Sequence, residues 1–425
     1  MATTQAPEQD PPTVGDEAKQ IRPMQSAAFR WLWFSTGMAS GGNLMERTAT
    51  AWLALQSGGG ALAVGLVFAA RSLPSLLFGL AAGTIADRAD RRKLLMLVAA
   101  AMCALMAFVG WLADSGHIQV WQIIVLAFAA GCVQVCDTPA RQALVLDTTS
   151  RKSATNALAL NALASRSCGA LGAIGAGALI PLIGIGHSYF AIAAVYGIGG
   201  LLITPMRMPR GVRVTVAHPP FLHALRDAGR LIIDLPAVRI LMFSGIAGEI
   251  FAFSFGSALP VLSKDVLRAG PEGLGTLNGA SSIGSAVALM LLLALGDRLR
   301  REPLLATIFV VYGASLAALA ITRNLWLAAA VLVVTGICAG AFDLLQQTLI
   351  QLAVPDEQRG RAVGIWVLGL GSAPVGNLEM GALIGAMGAP SALAINGALA
   401  IASATMLLVR APHYRWKLRA RPAPD

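Results

Sequence analysis

The sequence predicts an all-α integral membrane protein with twelve transmembrane helices in two six-helix bundles. Of its 425 residues, 56% are hydrophobic and 13% are charged, whereas soluble proteins carry about 25% charged residues. The chain also divides into twelve apolar segments of about 20 residues, the length that crosses a bilayer. Lys and Arg collect in alternate connections, and acidic signatures recur at similar positions in the two halves. This composition excludes a water-soluble enzyme.

The first half of the chain begins with a polar segment and continues with six candidate spans. Residues 1–29 contain no long apolar run, so we expect a disordered cytoplasmic tail. The N-terminal bundle is predicted at residues 30–206. Its spans lie at about 30–56, 61–85, 94–113, 118–139, 156–182 and 186–206.

The second half repeats this arrangement after a polar cytoplasmic linker at residues 207–237. Six arginines lie between Arg207 and Arg239, together with a Pro219-Pro220 pair. The C-terminal bundle is predicted at residues 238–409, and a basic cytoplasmic tail follows at 410–425. Its spans lie at about 238–262, 273–295, 303–322, 325–350, 362–387 and 389–409.

The positions of the basic residues predict the orientation of the chain. Of the 32 Lys and Arg residues, 26 lie in the tails, the linker and the even-numbered loops, and three lie in the odd-numbered loops. Short cytoplasmic loops collect Lys and Arg, so both termini are predicted to be cytoplasmic in a bacterial plasma (inner) membrane. The same distribution explains the net charge of +10 without a nucleic-acid partner.

Internal similarity between the halves indicates a transporter. Asp87 and the arginines after it follow the second span, and Asp297 with its arginines follows the eighth, 210 residues later. Asp137 and Asp343 lie near the ends of the fourth and tenth spans, 206 residues apart. Repeated six-helix units are typical of transporters whose substrate path lies between the halves.

Several segments resemble one family. The run Gly-Thr-Ile-Ala-Asp-Arg-Ala-Asp-Arg-Arg, from Gly83 to Arg92, resembles the loop between the second and third spans of the major facilitator superfamily. Three more segments resemble its bacterial enterobactin-exporter-like and macrolide-efflux-like branch. They begin at Asp137-Thr-Pro-Ala-Arg141, at Leu259-Pro260 and at Val354-Pro355. The resemblance extends from about residue 28 to 410 and implies the major facilitator fold and secondary transport.

The resemblance and the positions of charge give a set of gating candidates near the cytoplasmic ends of helices. The resemblance implies that Asp87 interacts with the positive amino end of the eleventh span and closes the cytoplasmic side. Without the resemblance, the neighbouring arginines would be ordinary cytoplasmic charges. The complete gating set is Asp87, Arg88, Arg91, Arg92, Asp137, Arg141, Asp297, Asp343, Arg359 and Arg361.

Charged residues inside the spans are candidates for proton coupling and substrate binding, because charge in a bilayer is costly and is usually functional or paired. Glu46 and Glu249 are the predicted proton carriers, with permanent pairing as the alternative for each. Arg166 either neutralises an acid of span one or seven or holds an anionic substrate. Arg71 is a further charge, in span two. The predicted substrate cavity contains Arg47, Arg166, Phe253 and Glu379.

We therefore expect a secondary active exporter that exchanges protons for an amphipathic small organic molecule, drug-like or siderophore-like, by alternating access. A lipid or lysolipid flippase and an uptake symporter are alternatives on the same fold, and a non-transporting membrane sensor is an alternative of another class. None of the five lysines follows a glycine as in a phosphate-binding loop. The sequence predicts neither a cofactor nor a metal site, and no catalytic residues. The expected partners of this monomer are its substrate, protons and membrane lipids.

Overall fold

The structure is a computed structural model that describes residues 23–150, 153–206, 232–295, 301–354, 366 and 369–410. All regular secondary structure in these ranges is helical. The predicted C-terminal tail lies outside them from residue 411 onward, as do residues 1–22 of the N-terminal tail and 207–231 of the linker.

In the first half of the chain, the residues described up to 206 form seven α-helices. They are α1 (Ala27–Gln56), α2 (Gly60–Arg88), α3 (Arg91–Asp114), α4 (Val120–Gln134), α5 (Asp137–Asp147), α6 (Ala154–Ile183) and α7 (Ile185–Leu201). The Ser26 hydroxyl accepts a hydrogen bond from the Phe29 amide and caps α1. Helix α1 therefore begins inside the segment predicted as tail. Helices α4 and α5 form one apolar stretch that is interrupted just before Asp137.

In the second half, the residues described from 232 onward form six principal α-helices. They are α8 (Pro236–Ala247), α9 (Gly270–Leu295), α10 (Arg301–Ile321), α11 (Leu325–Leu352), α12 (Ala373–Met387) and α13 (Ala389–Arg410). After α8 the chain continues through a π-helical turn at Gly248–Ala252, a 3₁₀ segment at Phe253–Ser257 and further short turns to Val266. This non-α region contains Glu249 and Phe253. Such turns are frequent at functional sites.

Eight helical stretches among the described residues are long and apolar enough to cross a membrane. Helix α7 and residues 389–404 of α13 are shorter apolar helices. The outer surface agrees with a lipid environment, since Leu97 and Ile321 are 67% and 80% exposed. Trp111, Trp121 and Trp326 are also exposed, at the ends of α3, α4 and α11, where interfacial tryptophans anchor membrane helices.

We call the end where α1 begins and α2 ends the N-terminal face, and the end with the turns at residues 57–59, 184 and 388 the far face. The two halves of the chain pack together near the far face, through α6 against α9 and α2 against α12. Both crossings depend on glycine. A Cβ atom on Gly177 would lie 2.8 Å from Gly275 Cα, and one on Gly65 would lie 2.6 Å from the Asn377 carbonyl oxygen. Only helices without side chains at these points approach so closely.

The α6–α9 crossing yields a prediction with a control on the same helix. We expect Gly177→Val to weaken the contact, because a Cβ there would overlap the backbone of Pro271 and Gly275. Overpacking costs about 1–3 kcal/mol, or about 5- to 150-fold in a two-state population. The measurement is maleimide labelling of Leu274→Cys, a position that is fully buried in α9.

Gly175→Val is the matched control, because a Cβ at Gly175 meets no atom within 4 Å. Labelling should be several-fold faster with Gly177→Val than with this control. Equal rates would show that the glycine does not hold the crossing closed.

Candidate functional site

A cavity of about 290 Å³ lies in the half of the molecule nearer the N-terminal face. Most of its wall comes from α1 and from α3 to α7, and Ser282 of α9 completes it from the second half of the chain. The polar lining includes Asn43, Arg47, Gln134, Asp137, Arg141 and Arg166. Four predicted site residues, two from the substrate set and two from the gating set, therefore meet at one cavity.

Behind this wall, Glu46 belongs to a buried ion pair. Its carboxylate lies 3.3 Å from the Arg71 guanidinium, with the two side chains 2% and 14% exposed. Arg71 also donates to the Gln134 side-chain oxygen at 2.6 Å, and Gln134 donates to the Tyr196 hydroxyl at 2.6 Å. Asn43 donates to the same Gln134 oxygen. This network joins α1, α2, α4 and α7, all in the first half.

Arg47 points away from this network, as expected for the residue that follows Glu46 on a helix, about 100° around the axis. Its guanidinium lies 5.5 Å from the ring centre of Phe68, within the range of a cation–π contact. The side chain is exposed although it lies well inside α1, because it faces the cavity. It forms no ion pair with any residue that the structure describes.

Two further ion pairs lie at the cavity. Arg141 donates to Asp137 at 2.7 Å and to the Ser35 hydroxyl at 3.2 Å, within the first half. Arg166 of α6 lies 3.7 Å from the Asp343 carboxylate of α11, so this pair joins the two halves of the chain. Its side chains are 46% and 36% exposed. In this conformation Arg166 is paired with an acid of span ten, not with Glu46 of span one or Glu249 of span seven.

Glu249 and Phe253 line a second, smaller cavity together with Asp343 and Gln346. The Phe253 ring packs against Tyr312 and Phe342, with ring centres 5.8 and 6.0 Å apart. Glu249 forms no hydrogen bond or ion pair with any described residue. Two acidic side chains therefore border one small space. Asp343 forms an ion pair with Arg166, whereas Arg47 lies within electrostatic range of Glu249 without pairing with it.

Glu379 lies apart from both cavities, on α12. Its carboxylate accepts a hydrogen bond from the Asn396 amide at 3.1 Å, and the same amide donates to the Ser254 hydroxyl at 3.2 Å. Neither cavity includes Glu379 among its described lining residues. In this conformation Asn396 of α13 thus links Glu379 of α12 to Ser254 of the non-α region after α8.

The predicted gating residues are only partly described. Arg91 pairs with Asp147 at 2.6 Å. Arg92 donates to the carbonyl oxygens of Ile203 and Thr204, just beyond the end of α7. A cation at this position stabilises a helix C-terminus. The Arg88 side chain is exposed. The side chain of Asp87 and all of Asp297, Arg359 and Arg361 lie outside the described residues.

Sequence reasoning missed three members of the site: Asn43, Gln134 and Tyr196. Each is a polar side chain within an apolar span, and buried polar groups in hydrocarbon need partners. That signal identifies a network but not its pairing, because the four contributing helices are separated in sequence by as many as 153 residues, from Asn43 to Tyr196.

Comparison with known proteins identifies a family and several relatives. A family model described as transmembrane secretion effector matches residues 18–425. A staphyloferrin A transporter of Staphylococcus aureus is 24% identical over 349 residues, covering 80% of this chain and 85% of the relative. A multidrug efflux pump, Tap, of Mycobacterium tuberculosis is 25% identical over 393 residues, covering 90% and 93%.

Solved transporter structures share the fold. A bacterial homologue of the human lysosomal transporter Spinster, in an inward-facing and unoccupied conformation, matches with a TM-score of 0.68 and 16% identity, covering 94% of this chain and 99% of that chain. The nucleoside transporter NupG matches with a TM-score of 0.70 and 15% identity, covering 90% and 98%. At these identities the matches concern the fold alone.

The Glu46–Arg71 pair gives a prediction on stability. Arg71→Met leaves a buried carboxylate without its counter-charge, so we expect it to lower the free energy of unfolding by about 3–5 kcal/mol. Combining it with Glu46→Gln removes the orphaned charge and should restore part of this loss. Unfolding of the purified variants by denaturing detergent measures all three.

Arg30→Met, an exposed arginine at the start of α1, is the control and should unfold like the parent protein. If the effects of Arg71→Met and Glu46→Gln simply add in the double variant, the two side chains are not energetically coupled.

Proposed function

Because this chain belongs to the transmembrane secretion effector family of the major facilitator superfamily of transporters, we propose that it exports a small organic molecule from the cytoplasm by proton-driven alternating access. Family membership confirms the predictions that the protein is a transporter and not an enzyme. The observation that carries the proposal is the cavity described above. It contains arginines of the first half, is completed by α9, and lies on one side of the glycine crossings.

The proposed topology is twelve spans in two bundles, at residues 30–206 and 238–409, in the bacterial inner membrane. Eight stretches satisfy the length and hydropathy of a span, and α1, α7, α12 and α13 supply the other four. The basic loops favour cytoplasmic termini. The N-terminal face is then the cytoplasmic face, and the cavity that contains Arg47 and Arg166 lies in the cytoplasmic half of the protein.

Glu249 is the proposed proton carrier. A charged carboxylate within the membrane requires a counter-charge, and Glu249 has no ion-pair partner among the described residues while its neighbour Asp343 lies beside Arg166. A proton is the simplest counter-charge for it. Glu46 differs because Arg71 already neutralises it, which favours the paired role that was its alternative.

The proposed cytoplasmic gate consists of the Asp87 segment and the residues that hold it. Arg91 joins the start of α3 to the end of α5, and Arg92 joins it to the end of α7. These contacts fix the segment from Asp87 onward relative to the first half. We propose that Asp87 then closes against the second half when the cavity opens towards the far face.

The export direction is supported by a relative named as a multidrug efflux pump. The uptake and flippase alternatives predict that the substrate moves in a different direction, so measuring the direction of transport decides between them. Purified protein in vesicles of known orientation is given an imposed pH gradient, with ethidium and 1-naphthylacetate as probe substrates. Accumulation on the side that corresponds to the far face, against the proton flux, supports proton-coupled export. Accumulation of either probe on the cytoplasmic side would contradict it.

We expect Glu249→Gln to abolish probe accumulation driven by a pH gradient, because the amide keeps the shape of the side chain but carries no proton. Exchange of probe between equal pools on both sides should continue, since exchange requires no net proton movement. The two rates are measured in the same vesicles.

Glu272→Gln is the control, because Glu272 is an exposed acid at the start of α9. It should retain both activities. Gradient-driven transport that persists in Glu249→Gln would exclude Glu249 as the carrier.

Topology has an independent test. Alkaline phosphatase fused after residue 116, between α3 and α4, should be active because that connection is expected on the periplasmic side. A fusion after residue 149, between α5 and α6, should be inactive. The reverse result would invert the proposed orientation.

A further inference from the structure

We infer that the cavity nearer the N-terminal face binds the anionic group of its organic substrate between Arg47 and Arg166, and that Asp343 competes with the substrate for Arg166. This inference rests on the proposed function and adds the chemical class of the substrate, an organic acid. It depends on the balance of charge in the cavity, on the two arginines that are not fully engaged, and on the geometry of the pair that joins the halves.

The described lining of this cavity carries more positive than negative charge. Among the described lining residues, Arg47, Arg141 and Arg166 are cationic and Asp137 is the single acid. Asp137 is fully engaged by Arg141 at 2.7 Å. Of the other two arginines, Arg166 has Asp343 at 3.7 Å, and Arg47 has Glu46 and Glu249 within electrostatic range but forms no ion pair with either. A charge inside a membrane protein is expected to be closely paired. A bound anion would provide that pairing.

Arg47 and Arg166 are not held by close ion pairs among the described residues. Arg47 contacts the face of Phe68 but no carboxylate that the structure describes, and it is exposed to the cavity. Amide and hydroxyl groups of Asn43, Ser40 and Ser165 also line the space. Guanidinium groups with neighbouring neutral donors recognise carboxylates through paired, charge-assisted hydrogen bonds.

The contact between Arg166 and Asp343 is long for an ion pair. At 3.7 Å the two side chains form an ion pair without a hydrogen bond, and both are more than a third exposed. A carboxylate or sulfonate that enters the cavity can approach a guanidinium to about 2.8 Å and form two hydrogen bonds. Asp343 thus holds Arg166 only weakly, and a substrate anion that forms hydrogen bonds with Arg166 would displace it. Substrate binding would then release a contact between the two halves of the chain.

The test is equilibrium binding to the full-length protein in nanodiscs made of neutral lipid. The probes share one aromatic body and differ in charge: 1-naphthylacetate, neutral 1-naphthaleneacetamide and cationic 1-naphthylmethylammonium. We expect the anion to bind at least about tenfold more tightly than the other two, the size of effect produced by one charge-assisted hydrogen bond. Equal affinities, or preference for the cation, would overturn the inference.

Substitutions of Arg47, Arg166 and Asp343 test whether these side chains bind the anion. Arg47→Gln and Arg166→Gln should each weaken 1-naphthylacetate binding about tenfold and leave amide binding unchanged, whereas Arg47→Lys should retain part of the affinity. Asp343→Asn should strengthen anion binding. Arg323→Gln, at the far end of α10, is the control and should change nothing. Loss of affinity in Asp343→Asn would contradict the competition.

A second measurement requires no bound ligand. Ser165→Cys places a thiol in the cavity wall, and its reaction with anionic and cationic methanethiosulfonates reports the local potential. The parent chain is subtracted because it contains other cysteines, including Cys136 and Cys168. The anionic reagent should be favoured in Ser165→Cys, and less so when Arg47→Gln is added. A preference for the cationic reagent would overturn the inference even if the naphthyl probes do not bind.

Two results separate this inference from its premises. Ethidium export without any anion preference would keep the proposed function and remove the organic-acid assignment. Lysophosphatidylglycerol that binds tenfold more tightly than 1-naphthylacetate would assign the anion site to a lipid headgroup and overturn the assignment to a soluble acid.

Discussion

The cost of placing charge in hydrocarbon governs this structure. A charged side chain within a span must meet a counter-charge, a polar partner or water. The charged side chains that the structure describes within the spans meet this requirement in different ways. Glu46 is buried and paired with Arg71. Arg47 faces a cavity and rests on an aromatic ring. Arg166 and Asp343 meet across the two halves at a longer distance. The fold can be understood as the arrangement that provides these solutions at once.

These pairs differ in which parts of the chain they join. The network of Glu46, Arg71, Gln134 and Tyr196 lies wholly within the first half and fixes four helices relative to one another. The Arg166–Asp343 pair crosses between halves and is partly hydrated. A rocking motion would leave the first network intact and would change the second contact. The ion pair that would persist and the ion pair that would change thus lie in different places. This arrangement suits a rocking motion of the two halves.

The sequence predicted an all-helical membrane protein with several spans, because the length and hydropathy of a span are local properties. It also placed Arg47 and Arg166 in a common cavity. It did not predict that Asp343 would be the partner of Arg166, because pairing depends on packing between helices that are distant in sequence. It could not predict the π-helical turn that contains Glu249 either, since no glycine or proline pattern specifies it. The three acids predicted for proton coupling or the substrate cavity and the predicted gating acid Asp343 have distinct surroundings. Glu46 has an ion pair, Asp343 a cross-half pair and Glu379 an amide, and Glu249 has no hydrogen bond or ion pair among the described residues.

The glycine crossings at the far face have a consequence for energy conservation. They bring backbone against backbone, with Gly177 against Gly275 and Gly65 against Gly381. Such contact depends on dispersion forces, and a separation of 0.5–1 Å already loses about a quarter to a half of that attraction. Widening the crossing therefore weakens the contact steeply, which favours the closed contact over partly open ones. A barrier with few partly open states would leak few ions while the transporter waits for substrate.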